Sequence, residues 1–374
     1  MGSRPEVIKL APVYFALKEV GAKVSACASF QQANLSKQAL KVFGIEPDFK
    51  MDVMVPGQSL VDLSCKLLSQ FQNIYKKVKP ALVVVQGDTA TALCAGMSAF
   101  LLKIPVAHVE AGLRTGVLSS PFPEEANRQA LRIFSSLHFA PTEIALQNLF
   151  SEGVDESCVF KVGNTVVDAL KNVLERIEDG TLKVSDFVKD FVEENSGNGQ
   201  KIVVLTLHRR EGFDGGIKRA CHVIGDFVAE NKDISVVYPR HPNPNVKDTS
   251  SWLKTNRFCD RILLCDPLAY VDMVYLLSMS TCIVTDSGGL QEEGVSLGKR
   301  VVCVREVTER TEGISDGLIC LTGFDENKIL SALEQFCSPD KITSFKGVSK
   351  SVFGDGLASP RIVRILQSKF PSCF

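Results

Sequence analysis

Short β-branched runs alternate with helical stretches along this chain, and the alternation runs twice. In the first half Ala81-Leu82-Val83-Val84-Val85, Pro105-Val106-Ala107-His108-Val109, Leu137 to Ala140 and Val159 to Val162 read as buried strands, with a further strand over Ala22 to Ser29. In the second half Ile202 to Leu207, Ile234 to Tyr238, Ile262 to Cys265, Thr281-Cys282-Ile283-Val284 and Val301 to Val304 repeat the pattern. Helical stretches separate the runs, among them Pro5 to Val20, Val61 to Val78, Tyr270 to Met279 and Asp325 to Cys337. Strands that alternate with helices pair in parallel, because each helix carries the chain back to the same end of the sheet. The expectation is an α/β chain of two doubly wound domains. The first covers residues 1–166 and the second 167–357, and a C-terminal helix over 358–374 packs back on the first. A strand is expected before the turn at Gly2 in such a domain, and the pattern lacks it.

Open parallel sheets bind ligands at the carboxyl ends of their strands. The polar clusters of this chain fall at those ends. Gln86-Gly87-Asp88-Thr89 follows one strand and Glu110 to Gly116 the next, with Glu124 in the adjoining loop. His208-Arg209-Arg210-Glu211, Arg240-His241, Thr285 to Glu293, and Arg305 with Thr308-Glu309-Arg310 follow strands of the second half. Two sheets facing a central cleft would gather all of these. Ser287-Gly288-Gly289 joins a strand to a helix, the geometry that aims unpaired backbone N–H groups at an anion. The carboxylates Glu292 and Glu293, one turn on, suit hydroxyl groups such as those of a ribose.

Composition narrows the partners. A length of 374 residues exceeds one ordinary core, and 45% hydrophobic with 23% charged residues is the balance of a soluble globular protein. A net charge of -1 gives no electrostatic case for nucleic acid or a membrane surface. The apolar stretch Leu93 to Leu102 is too short to span a bilayer. The 12 cysteines form no CxxC and sit mostly in apolar patterns, which points to reduced thiols in a cytoplasmic protein. The 5 histidines show no ligand spacing, so no metal bound by protein is expected, and no GxGxxG follows a strand, so no nicotinamide cofactor is expected.

The first half therefore offers Asp88, Glu110 and Glu124, carboxylates suited to acid–base work or to stabilising a developing cation. Each could equally be a capping or ion-paired residue. The second half offers His208, Arg209, Arg210, His241, Arg305, Arg310 and the glycine turn, which suit a diphosphate. His138 and His222 read as packing or surface residues. This division fits cleavage between a sugar anomeric carbon and a nucleoside diphosphate, where the leaving group is anionic and the carbon becomes cationic.

Several segments together resemble the non-hydrolysing UDP-N-acetylglucosamine 2-epimerases. They are Gly2-Ser3-Arg4-Pro5-Glu6, Gln86-Gly87-Asp88-Thr89, His108 to Gly116, Pro123 to Arg128, His208-Arg209-Arg210-Glu211, Asp286-Ser287-Gly288-Gly289, Gln291-Glu292-Glu293 and Thr308-Glu309-Arg310, in order from residue 2 onward. The resemblance implies two Rossmann-like domains facing a central cleft, as in GT-B glycosyltransferases. It implies reversible conversion of UDP-N-acetylglucosamine to UDP-N-acetylmannosamine, through elimination of UDP and its re-addition to a 2-acetamidoglucal. By position, Asp88, Glu110 and Glu124 match the catalytic carboxylates, and His208 joins them among the catalytic residues. Arg4, Lys9, Arg128 and His208 match residues around the sugar and diphosphate; Ser287, Gly288 and Gly289 match the diphosphate turn, Glu293 the ribose contact and Arg310 a further arginine. Met273 stands where the family often has a phenylalanine near the uracil. Gln31-Gln32 replaces a common Gln-His pair, near Asn34 and Gly57, where bacterial members hold a second substrate molecule. The family also implies a homodimer. The alternatives are a hydrolysing 2-epimerase, a GT-B-type transferase of UDP-sugars, and a UDP-sugar-binding protein without catalysis.

Overall fold

A computed structural model describes residues 1–31, 33–55, 57–209, 212–240, 246, 253, 259–338 and 352–374. They divide into two compact units, Met1–Ala169 with Phe353–Phe374, and Leu170–Val352.

The first unit runs α1 (Arg4–Glu19), β1 (Cys27–Ala28), α2 (Ala33–Phe43), β2 (Phe49–Lys50), α3 (Leu60–Val78), β3 (Val83–Gln86), α4 (Ala90–Leu101), β4 (Val106–Val109), α5 (Glu124–Phe134), β5 (Leu137–Ala140), α6 (Glu143–Ser151) and β6 (Val159–Lys161). Helix α7 (Thr165–Glu178) then carries the chain out of the unit. Strands β3, β4, β5 and β6 pair in that order, all parallel. Both faces of the sheet are covered, which is why its strands are apolar runs and not alternating ones. Leu63, Leu67, Phe71 and Tyr75 of α3 and Ala92, Ala95 and Ala99 of α4 pack with Val83, Val85 and Val106. A second cluster joins Leu10, Val13 and Leu17 of α1 to Val109, Leu137 and Phe139. The same cluster takes in Ile362, Val363 and Leu366 of the last helix, α14 (Ala358–Lys369), numbered in chain order after those of the second unit.

The expected strand over Ala22 to Ser29 shrinks to the two residues of β1, whose partner strand among the described residues is β2. The partner segment sets this limit. Pro47 has no N–H to give, and the carboxylate of Asp48 takes the Ala26 N–H at 2.7 Å, so the ladder starts at Cys27. On the other edge of β1, Met1 donates to the Cys27 carbonyl at 2.9 Å and accepts from the Ser29 N–H at 2.9 Å. Among the described residues no strand precedes α1, and β1–β2 stays a ladder separate from β3–β6.

The second unit continues with α8 (Asp186–Gly197), β7 (Lys201–Thr206), α9 (Gly216–Glu230), β8 (Ile234–Pro239), β9 (Ile262–Cys265), α10 (Tyr270–Met279), β10 (Cys282–Thr285), α11 (Gly288–Ser296), β11 (Arg300–Cys303), α12 (Thr311–Ser315), β12 (Ile319–Leu321) and α13 (Glu326–Phe336). Its described strands are ordered β12-β11-β10-β7-β8-β9. From β7 the chain builds outward through β8 and β9, then returns to β10 and builds the other way. The gap between the ends of β7 and β10 is therefore a topological switch point, where open parallel sheets bind ligands. No helix among the described residues is long and apolar enough to cross a membrane.

Candidate active site

In the first unit the carboxylates lie where β3 and β4 end. Lys9 of α1 donates to Glu110 Oε2 at 2.5 Å, and Gln86, the last residue of β3, donates to the same oxygen at 2.7 Å. The Lys9 and Glu110 side chains are only 5% and 7% exposed, so water screens the pair weakly. Glu110 has φ +65°, a left-handed conformation that costs a non-glycine residue about 1–2 kcal/mol. Strain of this kind persists where the surroundings over-determine it, and such positions cluster at active sites.

Asp88 sits on the turn after β3, its Oδ2 accepting from Arg128 Nη2 at 2.7 Å. Arg128, on α5, also lies 3.5 Å from the fully buried Glu125 through Nη1. Glu125 accepts in addition from the Thr115 and Gly116 N–H groups, at 3.1 and 3.4 Å. It thus ties the loop after β4 to the helix that carries Arg128. Glu124 opens α5, half-buried, and makes no ion pair with a described residue. Arg4 opens α1, also half-buried. Carboxylates held by cations keep their negative charge, which suits a base or a group that stabilises a developing cation.

In the second unit His208 follows β7 and Asp286 follows β10, so both stand at the switch point. Asp286 Oδ2 accepts from the backbone N–H groups of His208 and Arg209 at 2.6 and 2.8 Å, and His208 Nδ1 lies 2.8 Å from Oδ1. Burial alone would raise the Asp286 carboxyl. The His208 ring and the two amides outweigh it and hold the group below the usual carboxylate range. The imidazole is oriented by this contact, with its side chain 35% exposed.

Helix α11 begins at Gly288 and Gly289, directly after Ser287. A Cβ on Gly288 would lie 2.8 Å from the guanidinium carbon of Arg310, whereas one on Gly289 would meet nothing nearer than Ser287 Oγ at 4.0 Å. Arg310 itself is held by carboxylates. Its Nε and Nη2 both lie 2.9 Å from Glu292 Oε1, and its Nη1 lies 3.0 Å from Glu309 Oε2. Arg305 reaches that same Glu309 oxygen at 3.0 Å. Arg209 stands close enough to this group that burial, and then the Arg305 charge, lower its pKa. Glu292 and Glu309 offset the charges of Arg310 and Arg305, so the feature here that favours an anion is the N-terminus of α11 beside them.

The structure refines several sequence expectations. Glu292, grouped with Glu293 as a hydroxyl contact, has its Oε1 on Arg310 instead, because the two side chains meet in the interior of the unit. Glu293 is buried on the same helix, and Met273 is half-buried on α10. Gln86 and Glu125 in the first unit, and Asp286 and Glu309 in the second, hold candidate residues in place without being candidates themselves. The available signal is that each stands inside a motif segment: Gln86 before Asp88, Glu125 after Glu124, Asp286 before the glycine turn and Glu309 before Arg310. Arg210, Glu211, His241 and Gln32 lie outside the described residues.

The sequence profile of the UDP-N-acetylglucosamine 2-epimerases matches residues 16–367. The chain belongs to the UDP-N-acetylglucosamine 2-epimerase family. Within that epimerase family it is similar to the UDP-N-acetylglucosamine 2-epimerase of Yersinia pestis, 39% identical over 98% of this chain and 97% of the relative. The crystal structure of a UDP-GlcNAc 2-epimerase from Neisseria meningitidis bound to UDP-GlcNAc aligns with a TM-score of 0.87 at 36% identity, over 98% of each chain. The Methanocaldococcus jannaschii UDP-GlcNAc 2-epimerase in complex with UDP-GlcNAc and UDP aligns with a TM-score of 0.81 at 31% identity, again over 98% of each chain. The epimerase membership read from the motifs is borne out, and so are the two Rossmann-like domains.

Proposed function

We propose that this protein interconverts UDP-N-acetylglucosamine and UDP-N-acetylmannosamine without net hydrolysis. The observation that carries this reading is the paired chemistry of the two units: Asp88 on Arg128 and Glu110 on Lys9 in one, and the Gly288–Gly289 helix start beside His208, Asp286 and Arg310 in the other. The family membership supports it.

The second unit holds the diphosphate, with Ser287, Gly288 and Gly289 at the phosphates, His208 beside them, Glu293 on the ribose and Met273 near the uracil. In the first step the C1–O bond breaks and its electron pair leaves on UDP. A carboxylate of the first unit takes the C2 proton, and the pair from the C–H bond forms the C1=C2 double bond of a 2-acetamidoglucal. In the second step a proton returns to C2 from the other face, and the diphosphate oxygen re-forms its bond to C1. The C2 proton of the intact sugar is not α to a carbonyl. Loss of the C1 oxygen is what makes it acidic, so cation-stabilising carboxylates and a diphosphate cradle belong to one mechanism. Asp88, Glu110, Glu124 and His208 are the groups that handle protons, with Arg4, Lys9 and Arg128 around the sugar and diphosphate.

Incubation with UDP-N-acetylglucosamine in deuterated water, followed by NMR, tests this reading. Deuterium at C2 of the recovered nucleotide sugars is expected. Free N-acetylmannosamine would indicate a hydrolysing enzyme, and UDP binding with no turnover would overturn the enzymatic reading. Asp88→Asn and Glu110→Gln should each lower kcat by roughly 10²–10⁴-fold while leaving UDP affinity within about twofold. The free thiols of the described cysteines suit the reducing cytoplasm. For the homodimer, exposed Phe100 and Leu101 on α4 and Ile133 on α5 offer an apolar face on two helices that pack together. Sedimentation of Leu101→Glu and Ile133→Glu as monomers, against a wild-type dimer, would support that face.

A further inference from the structure

We propose that His108 and Asn127 are positioning residues for Asp88, acting on the backbone at either side of it. The inference rests on the reading of Asp88 as a catalytic carboxylate. The carbonyl of Gly87 belongs to the peptide plane before Asp88, and the carbonyl of Asp88 to the plane after. His108 Nε2 lies 2.8 Å from the Gly87 oxygen, and Asn127 Nδ2 donates to the Asp88 oxygen at 2.8 Å. Two planes meeting at a tetrahedral carbon define the direction of its Cβ. With both planes pinned, the Asp88 side chain leaves the backbone in one direction, and Arg128 then holds the carboxylate at 2.7 Å. The pins come from rigid elements, His108 from the middle of the β-sheet and Asn127 from α5, one residue before Arg128. They are needed because Gly87, at φ +71°, brings no side chain to restrain the turn.

His108 is built for this and for no charge change. It is 1% exposed, and burial, reinforced by His138, Arg114 and Arg128, pushes its pKa down to about 3. The ring is neutral at pH 7, and a carbonyl partner requires the tautomer with its proton on Nε2. Nδ1 has no hydrogen-bond partner among the described residues. A leucine would fill that space without leaving a buried polar atom unsatisfied, so the contact with Gly87 is the physical reason for an imidazole here.

The test compares His108→Leu, His108→Gln and Asn127→Ala, each alone and combined with Asp88→Asn. His108→Leu and Asn127→Ala are expected to lower kcat roughly tenfold to a hundredfold, the scale of a catalytic group displaced by a fraction of an ångström to one ångström. KM and UDP affinity should stay within about twofold, and His108→Gln, whose amide can donate to the Gly87 carbonyl, should recover most of the loss. On the Asp88→Asn background neither substitution should lower the residual rate further, because both act through the missing carboxylate. The inference is overturned if KM or UDP affinity worsens in step with kcat, if glutamine gives no recovery, or if the same fold-loss appears without Asp88. A dead Asp88→Asn beside a wild-type-like His108→Leu and Asn127→Ala sinks the positioning alone, whereas a fully active Asp88→Asn sinks the catalytic reading beneath it.

Discussion

Two adjacent glycines at the start of α11 are glycines for different reasons. Gly288 faces the Arg310 guanidinium at a distance no Cβ can share, while the space over Gly289 is open. Gly288→Ala is therefore expected to push Arg310 off Glu292 and lower both Tm and UDP affinity. Gly289→Ala should leave Tm within a degree or two and weaken UDP binding alone, since its methyl group would stand where a phosphate approaches. Thermal unfolding and calorimetric titration of the two variants separate the roles, and equal Tm losses would refute the distinction. Asp286 carries a pH signature. Its folded pKa is depressed, so its contribution is fully present above the unfolded value of about 3.9 and is lost as pH falls through the lower folded value. Asp286→Asn is expected to cost about 1–3 kcal/mol at pH 6, from hydrogen bonds to a buried charge, with the gap to wild type closing below about pH 4. Urea unfolding at the two pH values measures it; a gap that widens in acid would contradict the assignment. These contacts were hidden in the sequence because an aspartate before a glycine turn looks the same whether it faces ligand or backbone.

At the scale of elements, α14 is held on the first unit by a carboxylate far away in sequence. Asp168 accepts from the Ala358 and Ser359 N–H groups at 3.2 and 2.7 Å, so it caps a helix that begins without a capping side chain of its own. Asp168→Ala is expected to cost about 1–2 kcal/mol, the value of an N-cap, and to speed amide exchange through α14 before the rest of the unit. Exchange that rises evenly across the unit would show that the cap has no local role. Helix Tyr270 to Met279 was legible from its length and pattern, and the strands Ile262 to Cys265 and Leu137 to Ala140 from compact runs bounded by polar residues; all three end where the residue pattern places them. The strand over Ala22 to Ser29 was not, because its length depends on a partner that Pro47 and Asp48 cut short. The short elements β2, β12 and α12 have too few residues to show a period, and pairing or packing alone defines them.

For the whole molecule, the division into two units predicts that ligand effects are unequal. UDP at about 100 times its Kd should stabilise the unit that binds it by about 2.7 kcal/mol. Hydrogen exchange should slow most in β7 and β10 and less in β3 to β6, whereas equal slowing in both would argue against a diphosphate held chiefly by the second unit. The sequence by itself determined the α/β class, the parallel pairing, the tandem repeat and the positions of the polar clusters. Those follow from local rules: side-chain periodicity, glycine at turns and the return of each crossover to the same sheet end. It also carried the family, since eight short motifs in order are specific when no one of them is. Only the tertiary structure decided which partner each charge takes. Glu110 on Lys9, Asp88 on Arg128 and Arg310 on Glu292 join residues whose spacing in the chain says nothing of contact. The same holds for His108 and Asn127, ordinary buried residues in a strand and a helix until the fold brings both to the peptide planes around Asp88. Ion pairs and backbone contacts of this range are set by how helices and strands pack, and packing is a property of the assembled chain.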